Sequence, residues 1–311
     1  MRTGPSDVGT VAAMTDAPTL RRGTPADTPA VFEVFLASAR DLAIRNGTPW
    51  ESTDADLRER LWPLLEHIGA HAAEWWVAES ADGEIVGYAR SVERGGLLEL
   101  TEFFVHPDRQ SAGVGTALLE RAFPADRGQV RAIIATTDLR AQARYYRAGT
   151  VARFPIVSME GPPTAVAVDD PSLEAIRAGA ADIDTLRDIE RSVLEFDRGD
   201  EFGWLLERRE GWVYRRDGRA IGFAFVAAEG SGPIAAREAE DQASMLRHVE
   251  TRAVELGVRL LSLEVPMING VAMRHLLDRG FKIDPFLTLL MSSRPFGQFD
   301  RYIGFSPPFV L

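Results

Sequence analysis

From Leu97 to Phe123 the chain reads LLELTEFFVHPDRQSAGVGTALLERAF: an apolar run, a loop of small residues, and a helix-like run with Ala117, Leu118, Leu119, Ala122 and Phe123. The loop Arg109-Gln110-Ser111-Ala112-Gly113-Val114-Gly115-Thr116 can aim several backbone N–H groups outward at the positive end of a helix dipole. Such a turn binds a pyrophosphate without any charged side chain. Glycine is needed there because a Cβ would block the phosphate or forbid the backbone angles. A P-loop would require Gly-Lys-Ser/Thr, but Gly115 is followed by Thr116. A dinucleotide fingerprint would require a small residue where Leu118 stands. The glycine pair alone does not separate a phosphate cradle from a plain helix cap.

Glu99 and Glu102 are the carboxylates of the preceding run, and their odd separation on a regular strand puts them on opposite faces. Only one of them then lines a given cleft. There is no cysteine, which removes disulfides, thiolate metal sites and a cysteine nucleophile, and which suits a reducing cytoplasm. His67 and His71 lie four apart without a third ligand at fitting spacing, so no metal site is expected. His106, in the turn VHPD, reads as structural because Pro107 fixes the backbone beside it.

The elements that must position these residues follow from periodicity. The stretch opening at Thr19 reads as a short strand followed by a turn at Gly23 to Asp27, and Val31, Phe32, Phe35, Leu36 and Leu42 recur at helical spacing. A second helix fits Asp54 to His67, and a hairpin joins strands at Glu74 to Glu79 and Glu84 to Val92 through Asp82-Gly83. VRAIIATT is a near-continuous β-branched run suited to a strand covered on both faces, and DLRAQARYYRAGT is a helix ended by Gly149. A closing strand is expected at Thr150 to Met159. GPPTAVAVDDP, residues 161–171, has the composition of a linker.

The second half repeats the first. Gly83 and Gly87 recur as Gly218 and Gly222, each 135 positions on, while Asp138, Ala141, Tyr145 and Gly149 recur as Asn269, Ala272, Leu276 and Gly280, each 131 positions on. Four matches in one helical frame indicate a duplicated α/β domain. The expected organisation is a loose tail at 1–18, a first domain at 19–160, a linker at 161–171 and a second domain at 172–311.

The order of strand, VHPD, glycine loop, helix, strand and tyrosine helix resembles the GCN5-related N-acetyltransferase (GNAT) superfamily over residues 19–160, with Gln110-Ser111-Ala112-Gly113-Val114-Gly115 matching its acetyl-CoA motif. The resemblance implies an α/β fold with a mostly antiparallel mixed sheet flanked by helices in each of two tandem domains. It also implies acetyl-CoA as co-substrate on the loop Gln110 to Thr116, with Ala141 and Asp138 nearby, although Asp138 departs from the usual asparagine. The strand ending at Val105 should splay from its neighbour and offer the main chain of Phe103 and Val105 to the pantetheine arm. Tyr145 matches the family's general acid, and Glu102, with Glu99 as fallback, matches the carboxylate facing the acceptor. Tyr146, about 100° round the helix, reads as packing. The loop from Arg40 to Trp50 is expected to line the acceptor pocket.

The implied activity is N-acetylation of a small primary amine by direct attack. The alternatives are a non-catalytic acyl-CoA sensor and a structural duplicate without ligand. A net charge of −11 argues against nucleic acid as a partner and favours a cationic small substrate. No apolar run is long enough to span a bilayer, and a homodimer is left open. The second half has no Gly-x-Gly; Glu238, Glu240 and Asp241 stand at the corresponding helix start, where they would repel a pyrophosphate. Residues 172–293 are therefore expected to keep the fold without the chemistry. The aromatic tail RPFGQFDRYIGFSPPFVL is expected to pack into the core, or to dock across the domain junction or onto a partner.

Overall fold

The computed structural model describes residues 17–50, 52–110, 113–168, 170–228 and 230–311. Nearly all of the expected N-terminal tail, residues 1–16, lies outside the described residues. The first half runs β1 (Thr19–Arg22), α1 (Thr28–Asn46), α2 (Asp54–His71), β2 (Ala72–Glu79), β3 (Ile85–Arg94), β4 (Leu97–Val105), α3 (Val114–Ala122), β5 (Val130–Thr136), α4 (Leu139–Arg147) and β6 (Val151–Gly161). The second half repeats that order as β7 (Glu174–Arg177), α5 (Ile183–Leu194), α6 (Glu201–Arg208), β8 (Glu210–Arg216), β9 (Arg219–Val226), β10 (Ile234–Ala236), α7 (Asp241–Glu255), β11 (Leu261–Pro266), α8 (Gly270–Asp278) and β12 (Lys282–Ser292). It then adds β13 (Tyr302–Ile303).

The matched positions behave alike. Asp138 and Asn269 cap α4 and α8 with side-chain oxygens, and Gly149 and Gly280 follow those helices with positive φ of 85° and 84°. Among the described residues no helix is long and apolar enough to cross a membrane.

The halves do not each own a sheet. One eight-stranded sheet has the order β1-β2-β3-β4-β5-β12-β6-β11, and a five-stranded sheet has the order β13-β10-β9-β8-β7. The last strand of each half has crossed over: β12 pairs with β5, β6 pairs with β11, and β12 and β6 pair with each other. All neighbours are antiparallel except β4 and β5.

On one face of the large sheet, Phe32, Phe35, Leu61 and Leu65 of α1 and α2 bury against Trp75, Val77 and Tyr88. On the other, Leu118 and Leu119 of α3 and Tyr145 of α4 bury against Ala89, Leu98 and Leu100. Each such aliphatic or aromatic side chain contributes roughly 1.5–3 kcal/mol by leaving water. The tail belongs to the core: Phe299, Tyr302, Phe305, Val310 and Leu311 pack with Val130, Ala132 and Ile156 of the first half and with Leu186 and Leu205 of the second.

A chain of buried charges also ties the halves together. Arg94, in β3, donates to Glu99 of β4 at 2.6 Å and to both oxygens of Glu201 in α6 at 2.9 Å. Arg198 binds Glu190 and the hydroxyl of Tyr302, each at 2.8 Å, and the carbonyl of Leu311 at 2.7 Å. The Leu311 N–H returns to Glu99 at 2.9 Å. Removing one partner from such a set strands the others without water. Arg94→Ala should therefore destabilise the fold by about 3–5 kcal/mol in denaturant unfolding. A loss under about 1 kcal/mol would mean that solvent already screens these carboxylates.

Candidate active site: a splayed strand beside a glycine-capped helix

The site is made by one strand leaving another. β4 stays paired with β3 as far as Val105, yet it pairs with β5 only from Leu97 to Leu100. The departure coincides with a β-bulge: Arg90 faces Glu102, Ser91 faces Leu100, and Thr101 is left over. A bulge bends its strand and redirects the side chains beyond it. From Thr101 to Val105 the edge toward β5 thus has main-chain groups without a ladder partner, which an extended amide chain can satisfy. The Val105 carbonyl accepts from Ser38 Oγ at 3.2 Å and Gln110 Nε2 at 3.1 Å. Gln110 therefore fastens the strand end in this structure.

The bulge corrects the expectation about the two carboxylates. Glu102 lies opposite Arg90 and Glu99 opposite Val92, and Arg90 and Val92 share a face, so Glu99 and Glu102 share one too. The extra residue reverses the alternation that a regular strand would keep. Both are enclosed. Glu102 has a fully buried side chain, 2.6 Å from Arg90 Nε, and accepts from the Tyr88 hydroxyl and Arg90 at 2.9 Å each. Glu99 is held by Arg94 and Leu311. Burial pushes both carboxyls up from the ordinary range, against the pull of their arginines.

At the mouth of the splay stands the N-terminus of α3. Gly113 is its cap residue, with a φ of 79° and open space where a Cβ would project. Its carbonyl accepts from the amides of Thr116 and Ala117 at 3.0 and 3.2 Å, leaving those of Val114 and Gly115 among the amides without a helical acceptor. Gly115 has a different reason to be glycine. A Cβ there would lie 3.3 Å from Phe103 and 3.7 Å from Val105 Cγ2, so its absence lets α3 settle on β4. Thr116 is exposed, while Ser111 and Ala112 lie outside the described residues.

α4 supplies the remaining groups. Tyr145 is buried, with its ring 6.0 Å from that of Phe103 in an edge-on contact. Its hydroxyl makes no hydrogen bond to any described residue. Burial and the nearby Asp138 carboxylate push the phenol above its ordinary value, which keeps it protonated at neutral pH. Tyr146 does not pack as expected: it is 50% exposed, on the solvent side of the helix.

Asp138 is occupied as a cap. Its carboxylate accepts from the Arg140 amide and from Arg45, each at 2.9 Å. Despite burial, the Arg140 and Arg45 contacts hold it below the usual carboxylate range. Ala141 is half-buried against the α3 face.

Sequence reasoning passed over Arg144. Its Nε would lie 3.6 Å from a Cβ on Gly115, its guanidinium donates to the Arg140 carbonyl at 3.1 Å, and it has no carboxylate partner among the described residues. The signal was available: Arg144 directly precedes Tyr145 on the helix facing the glycine loop. Among the described residues no group of three or more His, Asp or Glu could hold a metal. The rings of His67 and His71 lie 4.3 Å apart, tilted by 37°, and His67 stacks at the same distance on Trp204 of α6.

The corresponding place in the second half is built differently. Asp241 opens α7 and is bound by Arg216 at 2.6 Å, and Leu276 stands where Tyr145 stands in the first half. Between β10 and β11, where the first half opens, the chain has inserted its own tail. β13 pairs with β10 through Ile234↔Ile303 and Ala235↔Tyr302, and Gly304 bridges to Glu264 of β11. Asn269, the counterpart of Asp138, donates to the Tyr302 carbonyl at 3.2 Å.

A family model for the acetyltransferase (GNAT) domain matches residues 71–149, which run from the end of α2 through α4. No curated protein gave a significant match to the sequence. Solved structures do match in fold. A Pyrococcus horikoshii protein described as an acetyltransferase superposes with a TM-score of 0.70 at 13% identity, over 94% of this chain and 96% of its own. A GCN5-related N-acetyltransferase from Sphaerobacter thermophilus gives 0.59 at 17% identity, over 90% and 97%. A tandem GNAT protein from the clavulanic acid biosynthesis pathway gives 0.56 at 14% identity, over 89% and 99%. Residues 71–149 are thus recognised by sequence as a GNAT acetyltransferase domain, and the fold of the chain as a whole is similar to that of a tandem GNAT protein.

Proposed function

We propose that the first half binds acetyl-CoA and transfers its acetyl group to a primary amine by direct attack. The observation that carries this reading is the convergence of three features at one opening: the free edge of β4 beyond Leu100, the capped start of α3, and the buried phenol of Tyr145. In this reading the amides of Val114 and Gly115, with Arg144, take the pyrophosphate. The main chain around Phe103 and Val105 pairs with the pantetheine arm and polarises the thioester carbonyl. The neutral amine nitrogen bonds to the acetyl carbon, the carbon–sulfur bond breaks, and Tyr145 gives its proton to the departing thiolate, while the proton that the nitrogen sheds as the amide forms passes through solvent and restores the Tyr145 phenol.

Glu102 and Glu99 take a supporting part. Each is closed into an arginine pair, so neither has a lone pair exposed to an incoming ammonium. They anchor the bulge that opens the splay, and the acceptor loses its proton to solvent before it attacks.

Three measurements test the reading. Calorimetric titration with acetyl-CoA should give one site per chain, and Gly113→Asp should abolish it, since the substitution adds a Cβ at positive φ and a carboxylate at the helix N-terminus. Two sites would mean that the second half also binds, and no binding would remove the transferase reading. Tyr145→Phe should lower kcat by about 10²–10⁴-fold with acetyl-CoA affinity nearly unchanged; an unchanged rate would take Tyr145 out of the reaction. Finally, kcat/KM should rise with pH to an apparent pKa that follows the acceptor amine as the amine is varied. An apparent pKa that stays fixed across acceptors would identify an enzyme base instead, and Glu102 or Glu99, raised by burial, would be the group to replace.

A further inference from the structure

We infer that the second half acts as a clamp that presents the tail as one wall of the first half's acceptor site, and that the acceptor is an amine carrying an aryl or branched alkyl group. The inference rests on the transfer reading above and adds the class of substrate and the task of the second half.

The clamp is the second half's own splay. Tyr302 and Ile303 lie there as a strand, the Tyr302 carbonyl is held by Asn269, and the Tyr302 hydroxyl is held by Arg198. The same Arg198 reaches forward to the Leu311 carbonyl, and the Leu311 N–H reaches Glu99 on β4 of the first half. Both ends of the segment from Tyr302 to Leu311 are therefore fixed by buried polar contacts, one in each half. An ordered segment so restrained keeps the shape of whatever surface it lines.

That surface lies on the acceptor side. α3 and Tyr145 cover one face of the splayed strand, so an amine must reach a thioester in the splay from the α1 face. Phe309 lies on this face, its ring 5.7 Å from Phe35, and Phe35 lies 5.3 Å from Phe104 on β4. Phe104 and Phe309 each keep part of their surface exposed. Four carboxylates on α1, α2 and β4 are engaged by arginines: Glu99 with Arg94, Glu102 with Arg90, Asp41 with Arg45, and Asp54 with Arg40. Partly exposed aromatic rings beside arginine-held carboxylates favour an apolar group next to the amine and disfavour a second cationic centre.

The test compares 2-phenylethylamine and isoamylamine with spermidine and an aminoglycoside, using thiol release for turnover and calorimetry on the CoA-loaded protein for binding. Wild type should prefer the first two. Phe309→Ala should raise KM for 2-phenylethylamine about tenfold, as loss of a large apolar contact does. kcat with saturating amine and acetyl-CoA affinity should stay close to wild type. Asn269→Ala, far from the reacting atoms, should move KM in the same direction by loosening the clamp, and Phe309→Leu should restore most of the preference. Preference for spermidine, or a Phe309→Ala protein with an unaltered rank order, would overturn the inference while leaving acetyl transfer intact. Absence of thiol release with every amine would instead overturn the transfer reading, and calorimetry would still show whether the aryl amine binds and whether Phe309→Ala weakens it.

Discussion

β5 stays in the sheet because β12, a strand from the other half of the chain, pairs with it from Ala132 to Thr136. A strand with both edges free would leave two rows of N–H and C=O groups competing for water and partners. With one edge secured by β12, β4 can part from β5 beyond Leu100 without unseating it. The opening on which the candidate site depends is thus a consequence of strand exchange between the halves. The exchange is reciprocal: β6 does for β11 what β12 does for β5, and the pairing of β6 with β12 makes one sheet of the two halves.

The duplicated opening has met two fates. In the first half it adjoins a helix start with a glycine cap, a buried phenol and an arginine without a carboxylate partner among the described residues. In the second it holds β13, and Asn269 binds that strand's carbonyl much as it would bind a ligand amide. An unpaired strand edge is satisfied equally well by a ligand or by the protein's own chain. The carboxylates at the start of α7 remove the electrostatic reason for a phosphate to compete.

Burying Arg94, Arg198, Glu99 and Glu190, and half-burying Glu201, in one chain of contacts carries a desolvation cost that each pair recovers only in good geometry. Well-packed apolar residues could supply comparable stability. What such a network adds is specificity of arrangement, because a shifted tail or a slipped helix would leave a charge unpaired in the interior. The tail can therefore adopt one path between the halves and no near alternative.

By itself, the sequence determined the local elements and their duplication. Periodicity placed α1, α2 and the β2–β3 hairpin, and the frame shared by Asp138 and Asn269 and by Gly149 and Gly280 is present in the caps and helix ends. The glycine loop and Tyr145 were legible because their constraints are local: a positive φ at Gly113, close contact at Gly115, and one position on an amphipathic helix. Tertiary structure alone decided the rest. The bulge at Thr101 put Glu99 and Glu102 on one face, and nothing in their spacing records a residue that drops out of register with a neighbouring strand. Strand exchange was equally invisible, since β6 and β12 have the same apolar pattern whichever half they pair with. The path of the tail into the second half's slot and on to Glu99 depends on contacts across more than two hundred residues of chain, which no local pattern encodes.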